Sequence, residues 1–187
     1  MKRFTILGRQ VEGEVYQRIL DLAFNVCEEF ILVIRDNLQG IDGSGQICTK
    51  KSNNEQYNKS AHDFIEELKP NLIRIEKQFY YPDELTLEII NTLPEYEQKH
   101  DVYYFKTNET TKKIISNKIN SLFGWYGESL PEDLGFVKKG NGWLETTGHE
   151  YEGYFFDLTK DELNYLSKIE GLRLSEHEEK PRVQRVY

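Results

Sequence analysis

The sequence predicts an α+β fold, in which helices pack on one or both faces of a mixed, mostly antiparallel sheet. Segments with helical and strand-like patterns of apolar residues alternate along the 187-residue chain, without regular spacing or internal repeats. This alternation favours a mixed fold over an all-β sandwich. Residues 135–157 also indicate two apolar strands around a Gly/Asn turn, followed by an aromatic strand. The length suits one domain. We expect residues 1–174 to form it, with 175–187 as a charged C-terminal tail or edge strand.

The first third of the chain predicts a strand, a helix and a second strand. Residues 3–11 alternate loosely between apolar and polar side chains, which is typical of a strand. Residues 14–29 carry apolar side chains at helical spacing. Residues 30–34 are a run of five apolar residues, which predicts a strand buried on both faces. The three elements fit either one βαβ-like crossover or the start of an α+β domain.

The middle of the chain changes character at residue 37. Residues 37–60 are polar and rich in Gly, Ser and Asn, so they predict a long polar loop, interrupted by a short strand at 46–49. Ser60 is a suitable cap for a helix at 61–69, and Pro70 would end that helix. The other elements predicted here are strands at 72–81 and 101–105 and a helix at 83–92.

The last third contains the clearest helix signals. Either Asn108 or Thr110 can open a helix that runs to residue 123. Thr159 and Glu162 have the spacing of a capping box, so a helix should begin there and end before Gly171. Between these helices we expect the hairpin of 135–157 to pack its Phe136, Trp143 and Phe155 against the helix 159–170. The charged tail can add an edge strand at 182–187.

Composition and charge narrow the classes of partner. The net charge of −8 argues against a nucleic-acid-binding surface, because phosphate neutralisation requires basic residues. It suits solubility or a basic protein partner. The longest apolar run, 30–34, is too short to span a bilayer, so we expect no membrane association. Cys27 falls within a helical pattern and is expected to be a buried free thiol. Cys48 is the only other cysteine of the chain. Because so few thiols do not indicate a disulfide framework, a reducing, cytoplasmic location is the default expectation.

Aromatic residues make up 13% of the chain, and most of them are expected in the core. Trp125 and Tyr126 differ, because they follow the end of a predicted helix and lie in a loop before Pro131. We therefore predict that Trp125, Tyr126 and the nearby Glu128 form an exposed recognition patch.

His149 and Glu150 are the best polar candidates. A histidine beside carboxylates can act as a general base or as one arm of a metal site. Neighbouring residues of a strand face opposite sides, so both can point to one place only from a turn, which Gly148 permits. No recognised metal motif, cofactor fingerprint or catalytic triad pattern occurs in the sequence, and the glycines of 40–45 do not match a phosphate loop. We predict a binding role for His149 and Glu150, with no catalytic residue, metal or cofactor.

One stretch of the chain contains Leu130-Pro131-Glu132-Asp133-Leu134, then Phe136, Trp143 and Gly148-His149-Glu150, and ends in an aromatic strand. This stretch resembles the C-terminal part of small soluble proteins of low-GC Gram-positive bacteria. The resemblance covers about a third of the chain. It implies no catalytic residues.

These observations favour a non-enzymatic protein-interaction module of the immunity, antitoxin or inhibitor type. Such a module would bind its partner through an acidic surface and exposed aromatics. The alternative is a small-molecule or nucleotide-binding protein, including an enzyme. In that alternative the site lies between the 37–60 loop and the His149-Glu150 turn.

Overall fold

An eight-stranded sheet forms the centre of the protein. The structure is a computed structural model, which describes residues 2–35, 39–41, 47–49, 54–80, 98–126 and 130–178. The strand order is β10-β1-β9-β8-β7-β2-β6-β5, and β3 and β4 form a separate two-stranded sheet. The strands are β1 Lys2–Ile6, β2 Glu29–Arg35, β3 Gln39–Ile41, β4 Ile47–Thr49, β5 Leu72–Tyr80, β6 Gln98–Lys106, β7 Glu132–Lys138, β8 Asn141–Thr147, β9 Glu152–Phe156 and β10 Leu174–Glu178.

Four helices are described, and all of them contribute to the same hydrophobic core as one face of the large sheet. The predicted α+β fold is therefore confirmed, and the described strand pairs are all antiparallel. A smaller cluster of Val102, Tyr104 and Val137 lies apart from this core. The helices are α1 Glu14–Val26, α2 Asn54–Leu68, α3 Glu109–Lys118 and α4 Lys160–Leu166.

A row of apolar side chains crosses seven strands in register and forms the floor of the core. Because directly paired residues project to the same face, this row gives the helices one continuous apolar surface. The C-terminal hairpin packs towards α4 as predicted, since the indole Nε1 of Trp143 donates to Oε2 of Glu162 at 3.4 Å. The members of the row are Phe4, Phe155, Leu144, Phe136, Phe30, Phe105 and Leu72.

The connection from β1 to β2 is a long crossover through α1. Four antiparallel pairings separate the two strands, so β1 and β2 run in the same direction with β9, β8 and β7 between them. The strand predicted at 30–34 is present, and it pairs on both sides, with β6 and β7. It is buried on one face, by Phe30, Leu32 and Ile34, whereas Ile31 and Val33 on the other face are half-buried. The strand predicted at 3–11 is too long, because Gly8 takes a φ of 100° and turns the chain away.

Several predicted helix boundaries are wrong. Helix α2 begins at Asn54, within the predicted polar loop, and Ser60 lies inside the helix. The sequence of its first half, residues 54–60, contains one apolar residue, Tyr57, so only the second half shows a helical apolar pattern. Helix α3 is opened by Asn108 as predicted but stops at Lys118, because Ile119 is extended. A short 3₁₀ turn, Leu122–Gly124, follows.

The C-terminal signals agree more closely with the fold. Thr159 and Glu162 form the predicted capping box of α4, which ends at Leu166 and is thus shorter than expected. The hairpin turn between β7 and β8 is made by Lys139 and Gly140, both with positive φ, as a two-residue hairpin requires. Strand β10 pairs with β1 at the edge of the sheet. The helix predicted at 83–92 and the edge strand predicted at 182–187 lie outside the described residues.

Candidate functional site

Two turns that are far apart in the sequence meet at one corner of the protein. The first is Leu122–Gly124, which is followed by Trp125 and Tyr126, and the second is Gly148–Glu150, between β8 and β9. Asp133 joins them, because its backbone N–H donates to the carbonyl of Trp125 at 3.1 Å and its Oδ1 accepts from the N–H of Gly148 at 3.0 Å. The two segments for which the sequence predicts binding roles therefore lie next to each other in the fold. We call this region the Tyr126–His149 corner.

Trp125 does not belong to an exposed patch, and this part of the prediction is wrong. Its side chain is fully buried, with its indole Nε1 donating to the hydroxyl of Tyr16 at 3.1 Å and its ring 5.9 Å from that of Phe64. A loop position suggested exposure, but here the loop carries the indole inward between α1 and α2. Burial raises the pKa of the Tyr16 hydroxyl well above its usual range, although the bond from Trp125 opposes the shift.

Tyr126 is exposed, as predicted, with 38% of its surface accessible. Its hydroxyl shares a 3.1 Å hydrogen bond with that of Tyr151, and the two rings meet edge to face with centroids 6.2 Å apart. This hydrogen bond raises the pKa of Tyr126 above its ordinary value. Arg9 lies over the other ring, with its guanidinium carbon 5.1 Å from the centroid of Tyr151. Each contact limits the freedom of the exposed aromatic pair.

Tyr151 is a member of the corner that sequence reasoning missed. It takes a left-handed backbone conformation, with φ of 57°, directly after the Gly148–Glu150 turn. This conformation is uncommon for a bulky residue and sets the direction in which the ring leaves the turn. The available signal was an aromatic residue placed immediately after a predicted Gly-His-Glu turn.

His149 and Glu150 both face solvent, consistent with the turn that was predicted for them. The imidazole Nε2 lies 3.9 Å from Oε1 of Glu150, a loose contact between two exposed groups. Exposed pairs at such a separation contribute little to stability. Because both side chains are exposed, a binding partner can reach them. Glu128, the remaining predicted site residue, lies outside the described residues.

A second set of ligand atoms occurs at the same corner. Glu132 and Asp133 each offer a carboxylate oxygen and His149 offers a ring nitrogen, and these atoms all lie within 4.8 Å of one another. The sequence predicts no metal site, because no recognised metal motif occurs in it. Glu132 and Asp133 are adjacent in β7, where strand alternation would direct their side chains to opposite faces. A β-bulge at Asp133 allows both side chains to reach the same place.

A separate cleft lies between α4 and the edge of the sheet formed by β1 and β10. Its volume is about 610 Å³, which is within the range of small-ligand sites. Glu176 in this cleft is already paired with Lys2. The lining comprises four apolar side chains, Phe4, Leu163, Leu172 and Leu174, and four polar ones, Lys160, Asn164, Ser167 and Glu176.

Cys27 is buried, with 5% of its surface exposed. It is the buried free thiol that the sequence predicts, at the end of α1. Burial raises the pKa of this thiol far above its usual range, and the charge of Glu28 acts in the same direction. The thiolate, which is the reactive form, is therefore scarce in the folded protein. The side chain of Cys48 lies outside the described residues.

Comparisons with known proteins do not assign this chain to a family. No family model, no curated protein and no solved structure matches it. The resemblance to proteins of Gram-positive bacteria therefore stays a prediction. Within the described residues, every helix is too short or too polar to cross a lipid bilayer.

Proposed function

We propose that this protein is a non-enzymatic interaction module that binds a partner protein through the Tyr126–His149 corner. The observation that carries the proposal is the meeting of exposed Tyr126, His149 and Glu150 with Tyr151 on two turns that are hydrogen-bonded to each other. Tyrosine is enriched among the residues that contribute most to protein interfaces. Because the turns are held in place before binding, little side-chain and loop entropy would be lost on association.

The charge around the corner favours a basic partner. Among the described residues, Asp133, Glu150 and Glu152 bring three carboxylates to these turns and the strands beside them, and Arg9 brings a guanidinium. The net charge of the whole chain is −8. Complementary charge accelerates association and rejects acidic competitors. An immunity, antitoxin or inhibitor protein that covers a Lys/Arg-rich surface has this character.

Affinity capture from a lysate of the native host, with the full chain as bait, tests the proposal. We expect a stoichiometric, Lys/Arg-rich partner whose capture weakens by about tenfold or more with Tyr126→Ala and with His149→Ala. His177→Ala is a matched control, because His177 is exposed on edge strand β10, away from the corner. Failure to recover a partner, or capture that neither corner substitution changes, would contradict the proposal.

A small-molecule-binding role is the second candidate. The cleft between α4 and β10 is a better location for its site than the region predicted from the sequence, between the 37–60 loop and the His149-Glu150 turn. Four apolar side chains suit a short hydrocarbon or aromatic body, and Lys160 offers a charge to an anionic group. Thermal-shift measurements with nucleotides and small amphipathic carboxylates test this role. We expect stabilisation that Leu163→Asp abolishes and His149→Ala leaves intact; a panel without any shift would argue against it.

A further inference from the structure

Strand β5 lies at one edge of the eight-stranded sheet and exposes apolar side chains there. It pairs with β6 on its inner side, and among the described residues no strand pairs with its outer side. Ile73 and Ile75 of this strand are 48% and 49% exposed. A long edge strand with exposed apolar side chains offers its unpaired N–H and C=O groups to a strand of another molecule. The edge at β5 is therefore a candidate interface.

The opposite edge, at β10, has the features that discourage such pairing. It is five residues long, whereas β5 has nine. Its exposed side chains include Glu176, which is paired with Lys2, and His177. Short edge strands with charged or polar side chains are poor templates for another strand. One edge of the sheet is thus protected in a way that β5 is not.

The order of charges along β5 indicates which partner fits it. In a continuous antiparallel sheet formed by two copies, the two-fold axis is perpendicular to the sheet and places one residue opposite itself. An axis at Arg74, Glu76 or Lys77 would place like charges directly opposite, which is destabilising. An axis at Ile75 instead pairs this side chain with its own copy and sets Arg74 opposite Glu76 on both sides. At Ile75 the strand is complementary to itself.

We propose that two copies of this chain associate through β5 into an antiparallel dimer whose two-fold axis passes at Ile75. The central residues of this pairing, 74–76, follow the bulge at Ile73 and lie where β5 pairs regularly with β6. The large sheet then continues from one copy into the other. Strands β2 and β6 lie between β5 and β7, so this interface is separate from the Tyr126–His149 corner and does not rest on its role.

The charged side chains at this edge are held in place before association. The guanidinium carbon of Arg74 lies 3.6 Å from the ring centroid of Tyr104. The same guanidinium donates to Glu29 at 2.7 Å and to Glu76 at 2.6 Å. Both Arg74 and Glu76 remain partly exposed, so each can reach a charge of the second copy. Because these side chains are already ordered, little of their conformational entropy is lost when the dimer forms.

Sedimentation velocity of the full chain, over concentrations up to about 1 mM so that weak association is detected, tests the dimer. We expect a reversible monomer–dimer equilibrium. Ile75→Lys sets two ammonium groups opposite each other and should raise the dissociation constant about tenfold or more. Leu7→Lys is the matched control, because Leu7 is 43% exposed directly after β1, near the other edge of the sheet. It should leave the dissociation constant unchanged.

Disulfide cross-linking tests the register without placing a charge in the interface. In a Cys48→Ser background the remaining native thiol, Cys27, is buried. Ile75→Cys brings two thiols together, since directly paired residues have β-carbons about 4.5–5.5 Å apart, and mild oxidation should yield a covalent dimer. Ile73→Cys is the control: its exposure is nearly equal, but it lies opposite Lys77 of the second copy and should cross-link far more slowly.

A dimer that Ile75→Lys weakens and Leu7→Lys does not, with cross-linking at position 75 in preference to 73, supports the proposal. A chain that stays monomeric throughout the series, a dimer that Ile75→Lys leaves unchanged, or preferential cross-linking at position 73 would overturn it. A monomeric chain that captures a host protein through β5, as judged by loss of that capture in Ile75→Lys, would also overturn it, because the edge would then have a different occupant.

Discussion

The indole Nε1 of Trp125 donates a hydrogen bond to the hydroxyl of Tyr16, 3.1 Å away, and both side chains are fully buried. The bond joins residues 109 positions apart, and connects the loop at the Tyr126–His149 corner to helix α1. The backbone carbonyl of the same Trp125 accepts from the N–H of Asp133. The buried indole therefore anchors the segment that presents Tyr126 at the surface.

Replacement of Tyr16 by Phe should destabilise the protein. The substitution leaves a buried indole N–H without its acceptor, so we expect a loss of about 1–3 kcal/mol in the free energy of unfolding. Urea denaturation measures it. Tyr165→Phe is the control, because the Tyr165 hydroxyl donates to the carbonyl of Arg18 at a longer 3.4 Å and is only partly buried. Equal losses in the two variants would argue against the buried bond.

The carboxylate of Glu162 should make stability depend on pH. Burial alone would raise its pKa, but hydrogen bonds from Lys138, the backbone of Thr159 and Trp143, with the charge of Lys138, hold the pKa below the usual 4.5. Because the pKa of Glu162 is lower in the folded state than in the unfolded state, its carboxylate stabilises the protein at pH values above about 4.5. This stabilisation is lost as the pH falls through the folded-state pKa.

Glu162→Gln should therefore cost about 2 kcal/mol at neutral pH. The difference from the wild type should shrink as denaturation is measured at pH values falling below 4.5. Glu176→Gln is the control, since its ion pair with Lys2 is exposed and should change stability by less than about 1 kcal/mol. A difference independent of pH would contradict the assigned role of the Glu162 carboxylate.

Gly148 should not accept a side chain. A β-carbon at this position would lie 2.6 Å from the backbone oxygen of Trp125, so the two turns would have to separate. We expect Gly148→Ala to cost about 1–3 kcal/mol, measured by thermal or urea unfolding. In Gly142→Ala the new carbon would meet only the end of the flexible Glu145 side chain, at 2.7 Å, and should be tolerated. A Gly148→Ala protein as stable as that control would contradict the close packing of the turns.

The hydroxyl of Tyr126 should titrate above the ordinary tyrosine value of 10.0, because its hydrogen bond with Tyr151 favours the protonated form. Tyr151→Phe removes that partner and should return the Tyr126 pKa towards 10.0. Nuclear magnetic resonance of ring-labelled tyrosine can follow this one residue. The control Tyr165→Phe should leave the Tyr126 pKa unchanged, and a Tyr151→Phe variant with an unaltered titration would contradict the pair.

The thiol of Cys27 should resist modification in the folded state, since burial raises its pKa and limits access to the sulfur. In a Cys48→Ser variant, Cys27 is the one remaining thiol of the chain. We expect a disulfide reagent to react with it only as fast as the protein opens, and rapidly in denaturant. Rapid reaction without denaturant would show that this end of α1 is exposed.

Elements with strong local signals could be predicted from the sequence. The capping box of Thr159 and Glu162, the opening of α3 at Asn108 and the buried strand 30–34 all depend on residues close together in the chain. The start of α2 could not be predicted, because the sequence of its first half contains few apolar residues and so lacks the helical pattern. Of the candidate site, Tyr126, His149 and Glu150 were predicted by their turn positions, and Tyr151 was not.

The sequence by itself determined the fold class and the pairing of the C-terminal strands, because apolar periodicity and turn chemistry are local properties. Only the tertiary structure decided that Trp125 is buried, since that depends on the hydroxyl of Tyr16 in a distant helix. It also decided that Glu132 and Asp133 meet His149, because a single bulge opposite Leu32 reverses the direction that strand alternation assigns to a neighbouring side chain.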